Sequence, residues 1–280
     1  MIEKALASKA DAVIVDLEDA VAPAGKDAAR DTVRETLIAC APDKPVLVRL
    51  NAFDTGRTAG DVAAVMAARP WGVVLPKCAG PAELERLEHY LEVMEAQVGR
   101  EPGATRIMTV ATETAAAVLN LSRPVGPVAA RVWGLLWGGE DLSADLGVRQ
   151  NRDDAGAYTF PFQHARSQCL YAANAMGAIA VDAVFTDFRN AEALEQETRA
   201  GLRDGFTAKA AIHPAQIDVI NRVLTPSEQE LDWARQVIAL VSQRGVAQMD
   251  GKMIDIAHQR IAERILRRGG LGAGQGVSHG

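Results

Sequence analysis

Glu113 and Asp141 are the residues of this 280-residue sequence whose type and setting speak most directly of chemistry. Glu113 stands in TVATETAA, where a β-branched run gives way to an alanine-rich helical stretch. Asp141 stands in GGEDLS, where a second apolar run does the same. Two carboxylates at strand ends are a common means of holding Mg2+, a hard cation that takes one or two of them and leaves its other positions to water and substrate oxygens. Acids at helix N-termini are also favoured by the helix dipole alone, so spacing leaves a metal site and a pair of caps both open.

Other residues surround this pair in the reading. Gly138 and Gly139 precede Glu140 and Asp141, and bare backbone there lets a ligand approach closely. The N–H groups that follow, at Gly138, Gly139 and Leu142, then suit a substrate carboxylate. Arg49, in VLVRLN, ends an apolar run and needs a partner for its charge. It either forms a structural ion pair or offers its planar fork to a carboxylate or enolate oxygen. Asp16, Glu18 and Asp19, in VDLEDAV, are read as residues that orient Arg49 or metal-bound waters. Lys26 and Arg30 lie one helical turn apart and either hold phosphates at a rim or, with Asp27 and Asp31, make a solvated face. Asp250 and Asp255 flank an apolar pair in DGKMID, where turn or cap roles suffice. His213, in AIHPAQ, reads as a structural hydrogen-bonding residue, and Cys40, Cys78 and Cys169 as small buried residues without disulfide or zinc spacing.

Seven short apolar runs position these residues: 11–19, 45–51, 71–77, 106–113, 131–141, 177–185 and 208–214. Each is followed by a stretch of helical spacing, as in Leu84, Leu87, Leu91 and Met94, and the runs are continuous rather than alternating, as in parallel strands covered on both faces. Nearly every run ends in polar residues, among them Asp16, Arg49, Lys77, Glu113, Asp141, Asp182 and His213. A barrel gathers all its strand ends around one mouth, whereas an open doubly wound sheet gathers ligands at a switch point. The reading is therefore an α/β fold of the TIM-type (β/α)8 class. It has seven strands where closure needs eight, so the first lies before Met1 or the barrel is completed otherwise. Residues 1–224 make the barrel, 225–268 a helical extension opened by a Ser227/Glu230 capping box, and 269–280 a glycine-rich disordered tail.

Composition excludes several classes. An apolar fraction of 48% with a net charge of −6 fits a folded domain rather than a disordered chain. A pI near 5.5 argues against a nucleic-acid footprint, which needs clustered cations. The sequence has no apolar stretch long enough for a membrane span and no signal peptide, which points to a cytoplasmic protein. No GxGxxG or P-loop follows the first run.

The ordered set EKALASKADAVIVDLEDAV, VRLNA, VLPK, ETAAAVLN, GGEDLSADLG, AIAVDAVF, AIHPAQI, PSEQE and DGKMID resembles the citrate lyase beta-subunit-like CoA ester lyases of the HpcH/HpaI aldolase family, to about Leu266. The resemblance implies a TIM-type barrel that makes or breaks a carbon–carbon bond in CoA thioesters with Mg2+, usually as a homotrimer. It implies Glu113 and Asp141 as metal ligands, Arg49 as the substrate arginine, and Asp255 as a catalytic acid on a C-terminal lid delivered from a neighbouring subunit. It also implies CoA contacts at Lys26 and Lys209, and Arg30, one turn from Lys26, joins them as a cofactor-binding candidate. The VPG-like first strand of the family is absent here, Ala208 replaces its usual Gly, and Ala257 stands where Pro often follows MID. Malyl-CoA and citramalyl-CoA are the leading substrates. The alternatives are a citryl-thioester lyase subunit of a larger complex, a class II pyruvate aldolase acting without CoA, and a barrel that binds CoA esters without chemistry.

Overall fold

In the computed structural model, which describes residues 2–270, each of the seven runs forms a strand. The strands are shorter than the runs because the polar residues at their C-terminal ends turn out of the sheet. After helix α1 (Ile2–Leu6) come β1 (Val13–Asp16), α2 (Lys26–Cys40), β2 (Val46–Arg49), α3 (Thr58–Val65), β3 (Gly72–Leu75) and α4 (Pro81–Gln97). The alternation continues through β4 (Arg106–Val110), α5 (Ala115–Asn120), β5 (Val132–Leu136), α6 (Glu140–Asp145), α7 (Phe160–Met176), β6 (Ile179–Asp182), α8 (Ala191–Asp204), β7 (Ala208–Lys209) and α9 (Ile217–Leu224). All seven strands pair in parallel, in the strict order β1 to β7.

Successive side chains leave the sheet on opposite sides. Val46 and Val48 face the helices with Val13, Val15, Val73 and Leu75, whereas Leu47 meets Val74, Met108, Val110 and Val181 on the inner side of the curl. Burial on both faces is why these runs read as continuously apolar. Trp71 and Trp133, edge to face with centroids 5.1 Å apart, fill the inner side at the end where the strands begin.

The expected closed (β/α)8 barrel is realised in part. Among the described residues β1 and β7 are the edges of a curled seven-stranded sheet that does not close. The two ends nonetheless meet outside it: Lys9 pairs with Asp218 of α9 at 3.0 Å, and Asn221 Nδ2 donates to the Lys9 carbonyl at 3.0 Å.

Ser227 then caps α10 (Glu228–Arg244), its hydroxyl accepting the Glu230 N–H while the Glu230 carboxylate accepts the Ser227 N–H, the reciprocal box its spacing announces. An antiparallel hairpin, β8 (Ala247–Met249) and β9 (Lys252–Ile254), leads into α11 (Ile256–Arg268). This extension has its own core of Ala234, Val237, Val241, Ile254 and Ala262, and it leaves Val246, Met253, Ile256 and Ile261 exposed. Of the tail read as disordered, residues 271–280 lie outside the described residues. Among the described residues no helix is long and apolar enough to cross a membrane. Cys78 and Cys169 are buried as expected, but Cys40 is exposed at the last turn of α2, a correction to its expected burial.

A buried ion pair braces the end of the sheet remote from the strand C-termini. Arg131 Nη1 and Nη2 donate to Glu95 Oε1 and Oε2 at 2.7 and 3.2 Å, and Glu95 also accepts the N–H groups of Thr105 and Gly103. Removing one partner strands the other's charge in the interior. Arg131→Met is expected to cost about 3 to 5 kcal/mol, roughly 10 °C in Tm for a domain of this size. Thermal unfolding followed by circular dichroism checks this; a loss of under 2 °C contradicts it.

Candidate active site

Asp16 and Arg49 end β1 and β2 in register with each other. Arg49 lies two residues past Leu47, so it faces the inner side with it. Its guanidinium grips Asp16 with both prongs, Nε to Oδ1 at 2.8 Å and Nη2 to Oδ2 at 2.6 Å. Nη1 stands 3.0 Å from Glu18 Oε2, close but without hydrogen-bond alignment, and 3.8 Å from Asp19. Burial works against the carboxylate of Asp16, yet Arg49 holds its pKa below the ordinary value. Burial also works against the guanidinium, and Asp16, Glu18 and Asp19 keep Arg49 firmly protonated.

Lys77, two residues past β3, turns into the same space through a left-handed backbone (φ 49°). Its ammonium donates to Glu18 Oε1 at 2.6 Å and lies 3.7 Å from Asp19 and 3.6 Å from Asp141 Oδ1. Its backbone N–H donates to Glu113 Oε2. Glu18 is nearly buried, and burial raises its pKa in spite of Lys77 and Arg49.

Glu113 follows β4 and Asp141 opens α6 after β5. Between them sits the Gly138 turn: Gly138 N donates to Thr112 Oγ1 at 2.9 Å. A Cβ on Gly138 would lie 2.9 Å from Glu113 Cγ and 3.0 Å from Val110 Cγ1, so the turn can rest against the Glu113 stem only because position 138 is glycine. Glu113 is 3% exposed. Burial, with the nearby charges of Asp141 and Glu18, pushes its carboxyl up to about 8.

Five carboxylates, Asp16, Glu18, Asp19, Glu113 and Asp141, thus share two cations, Arg49 and Lys77. The raised pKa of Glu113 reflects burial first and the charges of Asp141 and Glu18 second, and hard oxygen donors in excess over cations fit a divalent ion such as Mg2+. Among the described residues no group of three or more His, Cys, Asp or Glu forms a ready-made cage. Two protein carboxylates with water and substrate completing the shell are consistent with that arrangement.

A pH dependence follows. In the fold Glu113 keeps its proton to about pH 8, whereas an unfolded glutamate loses it near 4.5. The native state therefore binds more protons between these values, and this group's contribution to metal-free stability falls as pH rises through that window. A cation must displace the same proton. Mg2+ affinity is expected to rise about tenfold per pH unit below 8 and to level above it. Calorimetric titrations at several pH values check this; a flat profile between pH 6 and 8 contradicts it.

Strand parity decides where other expected site residues go. Val181 faces the inner side, so its neighbour Asp182 faces the helices, behind the mouth rather than in it. Lys209 follows Ala208 in the same way. Its side chain is 1% exposed, and its ammonium is held by Glu197 at 2.9 Å, the Ala183 carbonyl at 2.8 Å and Asp182 at 3.7 Å. This corrects the reading of Lys209 as a CoA contact: the side chain points into the layer between sheet and α8. Lys26 donates to the Leu17 and Glu18 carbonyls at 2.9 and 2.6 Å, bracing the loop that carries Glu18. Arg30 is held by Asp61, Asp27 and the Arg57 carbonyl. Both have internal partners where phosphate contacts were expected. Of the backbone donors, Gly138 N–H is taken by Thr112, Gly139 precedes α6, and Leu142 buries its side chain.

Asp255 caps α11 in the extension. Its Oδ1 accepts the Ala257 N–H at 3.0 Å and lies 2.8 Å from His258 Nδ1. The His258 side chain and these N–H bonds hold its pKa below the ordinary value. His213 caps the turn after β7, accepting the Ala215 N–H. Sequence reasoning noted Lys77 as a strand-end residue and gave it no role. The sign available was its place in VLPK, one residue beyond a proline at the end of a buried run.

A family model for HpcH/HpaI aldolase/citrate lyase matches residues 1–214. The chain belongs to the HpcH/HpaI aldolase/citrate lyase family. Lyases among its relatives, a citrate lyase subunit beta of Leuconostoc mesenteroides at 32% identity and a mitochondrial citramalyl-CoA lyase of Rattus norvegicus at 30%, place the chain among the carbon–carbon lyases. Within the family, a citrate lyase subunit beta-like protein of Mycobacterium tuberculosis is 38% identical over 94% of this chain and 89% of its own length. A (3S)-malyl-CoA thioesterase of Cereibacter sphaeroides is 34% identical over 95% of this chain and 89% of its own. In structure, the HpcH/HpaI fold of this chain is similar to the crystal structure of M. tuberculosis CitE in complex with magnesium, acetoacetate and coenzyme A. The TM-score is 0.73 at 36% identity, covering 93% of this chain and 90% of that one.

Proposed function

We propose that this HpcH/HpaI family member is a Mg2+-dependent CoA ester lyase that performs reversible retro-Claisen cleavage of a 3-hydroxy-3-carboxyacyl-CoA, malyl-CoA or citramalyl-CoA, to acetyl-CoA and a 2-oxo acid. The observation that carries this reading is the pair Glu113 and Asp141, set on either side of the Gly138 turn in a surplus of negative charge, with the Arg49 fork at the same strand ends. Magnesium and coenzyme A in the CitE structure support the choice of metal and thioester.

Glu113 and Asp141 would hold the metal, which when bound supplies Lewis-acid polarisation of the substrate hydroxyl and carboxylate oxygens. The bond between the hydroxyl-bearing carbon and the carbon next to the thioester breaks. The hydroxyl carbon becomes the carbonyl of the 2-oxo acid as its O–H proton passes to solvent water, and the electron pair of the broken bond passes to the thioester enolate. Arg49 has one prong of its fork towards Glu18 and Asp19 without full hydrogen-bond alignment, and in this reading it turns that N–H to the enolate oxygen. The amides of Gly139 and Leu142 receive the substrate carboxylate. Lys77 offsets the charge of Glu18, Asp19 and Asp141 and keeps their repulsion from opening the mouth. Asp255, brought by the extension of a neighbouring subunit in a homotrimer, leaves the cap that keeps it ionised, takes up a proton from solvent and passes it to the enolate carbon to give acetyl-CoA; in the condensation direction it removes that proton. The apolar residues Val246, Met253, Ile256 and Ile261 give the extension a surface for that neighbour.

A coupled assay offering malyl-CoA, citramalyl-CoA and citryl-CoA separately, with Mg2+ and an EDTA control, tests the reading through acetyl-CoA release. Metal-dependent cleavage of either of the first two supports it. Cleavage of citryl-CoA alone favours the citrate lyase subunit reading, and activity on free acids without CoA a pyruvate aldolase. Silence of folded protein on every substrate leaves a binding barrel. Malyl and citramalyl groups differ by one methyl, which an apolar contact separates by only about 1 to 3 kcal/mol. Asp255→Asn is expected to abolish turnover with Tm unchanged within about 2 °C, because Asn also caps helices well; full turnover contradicts the role of Asp255.

A further inference from the structure

Behind the mouth, between sheet and helices, Trp137 is fully buried and its indole Nε1–H donates to Asp182 Oδ1 at 2.6 Å. Asp182 is fixed in turn. Arg166 of α7 donates to both its oxygens at 3.1 and 3.3 Å, Lys209 lies 3.7 Å away, and α8 approaches so closely that a Cβ on Gly201 would sit 2.5 Å from Asp182 Oδ2. The indole therefore has one orientation. Tyr158 packs edge-on against it, with centroids 4.9 Å apart.

The benzo end of the indole supports the site. A Cβ on Gly139 would lie 3.0 Å from indole Cζ3 and 3.2 Å from Cη2, so Gly139 can stand this close to the ring only without a side chain. Trp137 is joined directly to Gly138, which rests against the stem of Glu113, and Gly139 leads directly into Glu140 and Asp141. One ring thus underlies the turn that spaces Glu113 from Asp141.

We propose that Trp137 and Asp182 are positioning residues for the metal site: the buried Asp182 carboxylate orients the Trp137 indole, and the indole holds the Gly138–Gly139 turn that sets the two metal carboxylates apart. The proposal rests on the reading of Glu113 and Asp141 as metal ligands. Neither residue touches substrate or metal. A carboxylate behind an indole behind a turn does for this site what outer partners do for ligating histidines, and loss of such partners typically weakens metal binding about 10 to 100-fold.

The test uses the full-length protein. Trp137→Phe keeps an aromatic ring under Gly139 and removes the N–H. It is expected to weaken Mn2+ binding, measured by electron paramagnetic resonance, at least about tenfold in protein that stays folded by circular dichroism. A role confined to packing would lower Tm and leave the affinity of the folded protein unchanged, and that result overturns the proposal. A second measurement needs no substitution at the site. In wild-type protein with 15N-labelled tryptophan, the Trp137 indole resonance is assigned by elimination, using Trp71→Phe, Trp133→Phe and Trp233→Phe. Mg2+ should shift it, while the indoles of Trp71 and Trp133, at the opposite end of the strands, stay in place. A Trp137 indole that does not respond to saturating Mg2+ overturns the proposal even if Trp137→Phe fails to fold. If wild-type protein binds neither Mn2+ nor Mg2+, the metal reading itself fails, and this inference with it.

Discussion

Glu113→Gln should cut kcat/KM for Mg2+-supported carbon–carbon cleavage of the CoA ester by about 10^3-fold or more, while leaving the metal-free protein at least as stable as wild type. The first half follows from the work asked of the metal: several kcal/mol of charge stabilisation, at about 1.4 kcal/mol per tenfold in rate. The second half follows from the environment of Glu113. Burial and the charges of Asp141 and Glu18 keep its carboxyl protonated to about pH 8, so the ionised form is a burden that the fold bears for the sake of a cation. Glutamine has the same shape and can still accept the Lys77 N–H. It carries no charge to desolvate. The Tm of Glu113→Gln without metal should match wild type only below the unfolded pKa of 4.5, exceed it already at about pH 6, where the unfolded glutamate is ionised, and exceed it most above about pH 8, where the native carboxyl has ionised too. Added Mg2+ should raise Tm in wild type alone. A variant that loses stability at pH 9 would show that Glu113 is a structural cap, and the metal site would then have to be sought elsewhere.

Arg49→Met is the second large expectation, and its sign is opposite on stability. The guanidinium is the main counterion of Asp16 and shares Glu18 and Asp19 with Lys77. Removing it leaves those carboxylates crowded around one ammonium. A stability loss of about 3 kcal/mol is expected, the usual cost of stranding a partly buried charge. In the lyase reading kcat falls a further 10^2 to 10^3-fold, the usual effect of losing one donor to a developing oxyanion. Arg49→Lys separates the two effects. An ammonium restores charge balance but cannot grip Asp16 with two prongs and still present a third N–H. Its Tm should recover most of the way and its kcat should not. Equal recovery of both would assign Arg49 a structural role alone.

These two residues were legible in the sequence for different reasons. Arg49 was visible because a charge after VLV must find a partner, and Glu113 because a lone acid stood between a β-branched run and an alanine-rich helix. The strands were visible because sheets buried on both faces leave no polar positions to confuse the pattern. Which side a residue takes was not. Lys209 and Asp182 look as exposed to the mouth as Arg49 does, since each ends an apolar run. One step in register sends Arg49 inward with Leu47, and sends Asp182 and Lys209 outward, away from Val181 and Ala208. Lys77 escaped for another reason: its ammonium reaches Glu18 only through a left-handed backbone that nothing in the residue type announces. Trp137 looks like one more apolar residue of the run 131–141, because the partner that gives its N–H meaning stands 45 positions further on.

The strict order of the strands, each beside its neighbour in sequence, also sets how the molecule comes into being. Every pairing joins strands consecutive in sequence, so loop-closure entropy is low at each step and the sheet can lengthen from its first edge as the chain leaves the ribosome. The Arg49–Asp16 clasp needs only the first two strands. The carboxylate pair awaits the fourth and fifth strands, and the Asp182 brace behind it the sixth. Until each next strand arrives the growing edge is bare, and growth ends on β7, a strand of two residues, too short to serve as a template for pairing with another chain.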